Sequence, residues 1–123
     1  MKTALLLIAH GSKRAEANED LEYLADQLRR RGLYPVVQCS YLELAQPDTD
    51  AGGALCVAQG ADRVLMLPYF LSAGMHVTAD LEEARSKLAQ KHPNAEFKLC
   101  EPIGRHPLML EIVTERARQA EKP

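Results

Sequence analysis

The sequence predicts an α/β fold: a single doubly wound, mostly parallel four-stranded sheet with helices on both faces. Three observations predict it. Four apolar runs of strand length alternate with four segments of helical periodicity. The runs are apolar almost without interruption, as strands covered on both faces must be. The connections span only a few residues, and parallel neighbours need crossovers, which helices supply.

The strands are predicted at Thr3–Ala9, Pro35–Tyr41, Arg63–Pro68 and Glu96–Glu101. Between the first two, Leu21, Leu24, Ala25 and Leu28 recur at i, i+3, i+4 and i+7, backed by Glu19, Glu22, Asp26 and Arg29, and Gly32 supplies the stop. A second helix follows Pro47 and Asp48 and ends at Gly60, with Gly52 and Gly53 weakening it or loosening its first turn. The third carries Leu81, Ala84, Leu88 and Ala89 on one side and stops before Pro93. The fourth begins at Pro107, with Met109, Ile112 and Val113 expected to face inward.

At 123 residues the chain has the size of one ordinary domain, so residues 1–123 are read as a single unit. Hydrophobic residues at 46% and charged residues at 26% exclude disordered and low-complexity classes. A net charge of −2, with no basic run longer than Arg29 to Arg31, argues against nucleic-acid binding. The apolar N-terminal run from Ala4 to Ala9 is too short for a secretory segment, and no stretch approaches the roughly 20 apolar residues of a membrane-spanning helix, so a soluble, cytoplasmic protein is expected. Cys39, Cys56 and Cys100 are odd in number and lack C-x-x-C spacing, which predicts buried free thiols, with a metal role for Cys39 or Cys100 as the lesser alternative.

In a parallel sheet every strand points its carboxyl end at one edge, where ligands bind. The residues predicted to converge there are His10, Glu43, Tyr69 with His76, and Glu101. His10 and His76 are both placed in loops just beyond strands. Two imidazoles with one or two carboxylates suit divalent cobalt, nickel, iron or zinc and match calcium or magnesium poorly. Three or fewer protein ligands leave open coordination positions, the mark of a catalytic or transfer site.

The opening strand closed by AHGS, the SYLELAQPD and PYFLSAGMHVTAD segments and the EPIGRHP turn together resemble the small class II tetrapyrrole chelatases. These are the CbiX-like sirohydrochlorin cobaltochelatases and their nickel- and iron-inserting relatives. The resemblance runs through most of the chain and implies a chelatase-like fold similar to half of a ferrochelatase. It implies insertion of a divalent metal, cobalt first and nickel or iron as alternatives, into sirohydrochlorin in cobalamin or related tetrapyrrole biosynthesis. The metal is a substrate, with no permanently bound cofactor. The family's two metal-binding histidines fall on His10 and His76. Larger members carry two such halves, so the likeness also implies a homodimer that builds its cleft from two copies.

Neutral imidazole holds a metal ion reversibly and accepts protons near neutrality, which suits an exchange of two pyrrole protons for a metal. Glu43 is the third candidate, as ligand or proton acceptor; the competing reading is an ordinary solvated glutamate. For a flat macrocycle rimmed by carboxylates, Tyr69, Phe70, Leu71 and Met75 are candidates for an apolar floor. Core packing is the alternative for Phe70 and Leu71; Lys13, Arg14, Arg105 and the backbone N–H groups of Ser12 and following residues are candidates to meet the carboxylates, with a solvated helix start as the alternative for Lys13 and Arg14. Gly11 and Gly74 permit close approach of backbone to ligand. His106 reads as a helix cap and His92 as a helix-end residue, while Asp80 either orients His76 or serves its own helix. Two rivals stand beside the enzyme: a non-catalytic metal carrier using the same histidines, and a flavodoxin-like binding module, although HGSKRAE offers neither G-x-G-x-x-G nor paired aspartates.

Overall fold

Residues 1–123 are all described by the computed structural model. They run β1 (Thr3–Ala9), α1 (Ala15–Arg31), β2 (Val36–Tyr41), α2 (Thr49–Ala58), β3 (Arg63–Pro68), α3 (Met75–Lys91), β4 (Glu96–Leu99) and α4 (Leu108–Glu121). All pairings are parallel, in the order β2-β1-β3-β4. The α/β alternation is the one predicted, and the sheet is wholly parallel.

Period-two alternation splits the core between the two faces of β1. Leu6 and Ile8 join Val64, Met66 and Phe97 under Leu81 and Leu88 of α3 and Cys56 of α2. Leu5 and Leu7 join Val37 and Cys39 under Leu21 and Ala25 of α1. Gly52 and Gly53 are buried inside α2 rather than loosening its start. A Cβ on Gly52 would stand 2.8 Å from Ser40 Cβ, and one on Gly53 2.7 Å from both Leu88 Cδ atoms. Their cost in helix propensity is therefore offset by close packing onto the sheet and α3.

Four expectations need correction. Strand β2 begins at Val36, since Pro35 has no N–H to give the ladder. Strand β4 ends at Leu99; Cys100 N–H still donates to Met66 O at 2.8 Å, but the run ahead of Pro102 does not extend pairing to Glu101. His76 lies in the first turn of α3 rather than in a loop, because Thr78 N–H already closes a helical turn on Gly74 O at 3.0 Å. Met109 is only partly buried and Ile112 and Val113 are exposed, because α4 packs extensively against no other element.

The order places β1 at the centre. The chain goes from β1 to β2 on one side and then crosses to β3 on the other, so the ends of β1 and β3 flank the topological switch point of the sheet.

Candidate functional site

Strand β1 delivers His10 to the carboxyl edge, and the exits of its two neighbouring strands are pinned there by backbone bonds. Leu42 N–H donates to Ala9 O at 2.9 Å and Glu43 N–H to His10 O at 3.0 Å, so the β2 exit continues the ladder past its strand. Tyr69 N–H donates to Ile8 O at 2.7 Å, which fixes the β3 exit on the other side.

The approach of Glu43 to His10 requires the glycine that follows. Gly11 sits at φ +94°, and a Cβ there would lie 1.8 Å from the Glu43 carbonyl oxygen and 3.1 Å from Tyr41 Cβ. Only a residue without a side chain lets the two loops touch. Leu44, next to Glu43, is itself held in the left-handed region at φ 64°.

The His10 side chain is exposed, but its ring packs on Phe70 with centroids 4.5 Å apart and a 32° tilt. His10 borders two hollows. One, of about 440 Å³, also presents Glu43, Asp48, Asp50, Val77 and Asp80. The other, of about 270 Å³, presents Gly11, Ser12, Asn18, Tyr41 and Tyr69.

The acids of the larger hollow are not equivalent. Asp48 caps α2, its Oδ1 accepting from Ala51 N–H at 2.8 Å, and Asp50 accepts from Lys91 Nζ at 3.0 Å. The Glu43 and Asp80 carboxylates have no hydrogen-bond or ion-pair partner in the chain. Thr49 Oγ1, on the same wall, is buried without a partner, which is uncommon for a buried hydroxyl.

His76 is exposed one helical turn before Asp80, and Val77 between them lines the hollow with His10. No group of three or more His, Cys, Asp or Glu side chains is arranged to hold a metal within the single chain.

Several candidate contacts take a different form. Ser12 N–H donates to Asn18 Oδ1 at 3.0 Å, and Ser12 Oγ accepts from Arg14 N–H at 3.1 Å, so the Ser12 amide proposed for substrate carboxylates is already engaged. Phe70 belongs to the sheet core as well as to the His10 stack, whereas Leu71 and Met75 are exposed, Met75 by 89%. Lys13 and Arg14 are exposed at the start of α1. Gly74 has an ordinary extended backbone with open space where a Cβ would stand, so nothing in the chain demands glycine there.

Arg105, at φ 65°, lines a separate hollow of about 360 Å³ with Glu101 and His106, away from His10. His106 is a cap, its Nδ1 accepting from Leu108 N–H at 3.1 Å. His92 closes the end of α3, its N–H bonded to Leu88 O.

All three cysteines are free, Cys39 and Cys56 buried and Cys100 partly so. Burial pushes the Cys39 and Cys56 thiols up to about 12 and raises that of Cys100, so they stay protonated and make poor metal ligands.

The sequence reading did not place Asp48 and Asp50 beside His10. The signal was available: two aspartates open the helix after β2, at the same sheet edge as His10.

The sequence profile of the CbiX family matches residues 4–120. The chloroplastic sirohydrochlorin ferrochelatase of Arabidopsis thaliana is 33% identical over 91% of this chain, which spans only 50% of that protein. The sirohydrochlorin cobaltochelatase of Sulfolobus acidocaldarius is 32% identical over 94% of this chain and 90% of its own length. Among solved structures, the cobalt complex of the sirohydrochlorin chelatase SirB from Bacillus subtilis subspecies spizizenii superposes with a TM-score of 0.87 at 28% identity, covering 97% of this chain and 51% of SirB.

Proposed function

Because the chain belongs to the CbiX family, we propose that it inserts a divalent metal ion into a sirohydrochlorin-type tetrapyrrole, with cobalt first among cobalt, nickel and iron. The observation that carries this reading is His10: an imidazole fixed at the switch point by Phe70, bordering a hollow walled by two uncommitted carboxylates. The names of the similar proteins, which include both cobalt and iron chelatases, support it.

Insertion replaces the two pyrrole N–H protons of the macrocycle by one dication and releases two protons. In the proposed mechanism His10 and His76 hold the incoming ion as neutral imidazoles, which bind divalent transition metals without the permanence of thiolates. Glu43, whose backbone bond to His10 keeps it adjacent, accepts protons leaving the ring and lowers the cost of holding a dication beside them. The acid-lined hollow attracts a dication and repels a carboxylate-rimmed ring. The macrocycle is therefore assigned to the outer side of the edge, against Tyr69, Leu71 and Met75, with Lys13 and Arg14 as cations for its rim. Two copies are proposed to pair, each providing one of the halves that the longer relatives carry together.

The test mixes purified protein with sirohydrochlorin and each of Co²⁺, Ni²⁺ and Fe²⁺ and follows the absorbance change on metallation. Wild type is expected to accelerate the change over the protein-free rate, and His10→Ala to lose that acceleration by at least tenfold. A metal carrier would bind the ion without accelerating insertion. Equal rates in wild type and His10→Ala would remove the proposed site.

A further inference from the structure

The loop between β2 and α2 exposes a leucine in a conformation that leucine disfavours. Leu44 stands at φ 64°, in the left-handed region that glycine and asparagine enter readily and other residues rarely do. One exposed leucine is ordinary on a protein surface. Leu44, however, is strained and 54% exposed together, so burial inside the chain offsets the strain only in part. Arg105 is the one other non-glycine residue at positive φ, and it carries a cation, for which exposure is the rule.

The neighbours of Leu44 impose its conformation. Leu42 packs on the core cluster under α2 and α3, whereas Ala45 packs on the cluster under α1. Leu42 and Glu43 are bonded to the exit of β1, and Tyr41 N–H closes the loop on Pro47 O at 2.9 Å. Leu44 itself makes no hydrogen bond within the chain. The backbone must pass from one sheet face to the other between Leu42 and Ala45, and the left-handed step turns the Leu44 side chain outward.

Its place at the sheet edge narrows what that side chain can meet. Glu43 N–H is bonded to His10 O at 3.0 Å, and the next Cα is only about 3.8 Å further along. Leu44 lines neither of the two hollows that border His10, so it is no part of the acid-lined wall. It follows β2 on one side of His10, while the exposed Leu71 and Met75 follow β3 on the other. Apolar side chains on both sides of one imidazole suit a flat apolar surface laid across it.

We infer that Leu44 is a substrate-contact residue whose side chain bears on the apolar face of the tetrapyrrole ring, on the side of His10 away from Leu71 and Met75. The identity of the ring rests on the insertion reaction proposed above; the strain and exposure of Leu44 do not.

The test uses the full chain with two substitutions. Leu44→Asn suits the left-handed backbone and removes the apolar contact, whereas Leu44→Met keeps an apolar side chain of similar volume. In melting curves Leu44→Asn is expected to unfold within about 3 °C of wild type or above it, because strain relief offsets the lost leucine. Sirohydrochlorin is then titrated without added metal, followed by the absorbance of the ring. Leu44→Asn is expected to raise Kd about three- to tenfold, the loss for covering roughly half of a leucine side chain, and Leu44→Met to restore wild-type binding. A larger fall in Tm would show that the leucine serves the chain's own fold and would overturn the inference. So would an unchanged Kd, or altered sedimentation of Leu44→Asn with Kd unchanged, which assigns the side chain to a contact between copies. Wild type that binds no sirohydrochlorin would remove the proposed reaction and the partner of Leu44 with it; wild type that binds while Leu44→Asn binds equally well would overturn this inference alone.

Discussion

Gly11→Ala tests whether the site is built by the contact between the β1 and β2 exits. Two costs add. The position sits at φ +94°, where an L-residue pays roughly 1–2 kcal/mol. The new methyl would also stand 1.8 Å from the Glu43 carbonyl oxygen, a backbone atom that cannot swing aside, and overpacking of this kind costs about 1–3 kcal/mol. The sum, about 2–5 kcal/mol, is a large share of the roughly 5–15 kcal/mol that holds a domain folded. At this chain length each kcal/mol lowers Tm by about 3–5 °C, so a fall of roughly 6–25 °C is expected.

Gly32→Ala is the control. Gly32 also has positive φ, +67°, but nothing lies within 4 Å of its would-be Cβ, so only the conformational cost of about 1 kcal/mol applies. Melting curves followed by circular dichroism compare the two, and metallation is assayed well below both midpoints. Gly11→Ala is expected to lose insertion activity while folded, because the Glu43 N–H to His10 O bond cannot survive the displaced loop; Gly32→Ala is expected to retain it. Equal Tm shifts in the two variants, or full activity in Gly11→Ala, would show that the two exits are not held by this contact.

Other consequences can be measured directly. Asp48→Ala removes the cap of α2 and should cost about 1 kcal/mol, read as a Tm lower by about 3–5 °C; no change would mean the bond to Ala51 N–H is idle. Gly53→Ala should destabilise wild type but much less a Leu88→Ala background, because the new methyl meets both Leu88 Cδ atoms, giving a coupling of about 0.5–3 kcal/mol in a double-mutant cycle. The buried thiols of Cys39 and Cys56 have folded values of about 12 against 9.0 for the free group, so the folded state holds their protons longer. Their contribution is complete below pH 9 and is lost as pH rises toward 12, by at most about 1.4 kcal/mol per unit for each thiol. Denaturant titrations from pH 8 to 11 should show this decline, and Cys56→Ala should flatten it.

The framework of the fold was legible because each element announces itself. Leu21, Leu24, Ala25 and Leu28 form a stripe that needs no knowledge of its neighbours, and the unbroken run of β1 reads as a strand covered on both sides. Boundaries failed where a local rule competed with the pattern, as at Pro35. The start of α3 is not signalled because its N-cap is Gly74, with no Ser, Thr, Asp or Asn side chain at that position to bond the first turn. The direction of Ile112 and Val113 was missed for a different reason. A periodic stripe says that a helix has an apolar side, but what lies opposite is a property of two surfaces.

The same distinction governs the site. That His10 and Glu43 share an edge follows from parallel topology alone, and the sequence reading reached it. Which acids beside His10 are free to act does not follow from topology. Asp48 and Glu43 are both carboxylates in one short loop segment, yet one is tied to the N-terminus of α2 and the other has no partner in the chain. The difference depends on where Ala51 N–H points, and so on how α2 packs against Leu6 and Ser40 through a residue, Gly52, that contributes no side chain. Candidate reactivity here is set by the hydrogen bonds a carboxylate leaves unmade, and those are fixed only when the helices meet the sheet.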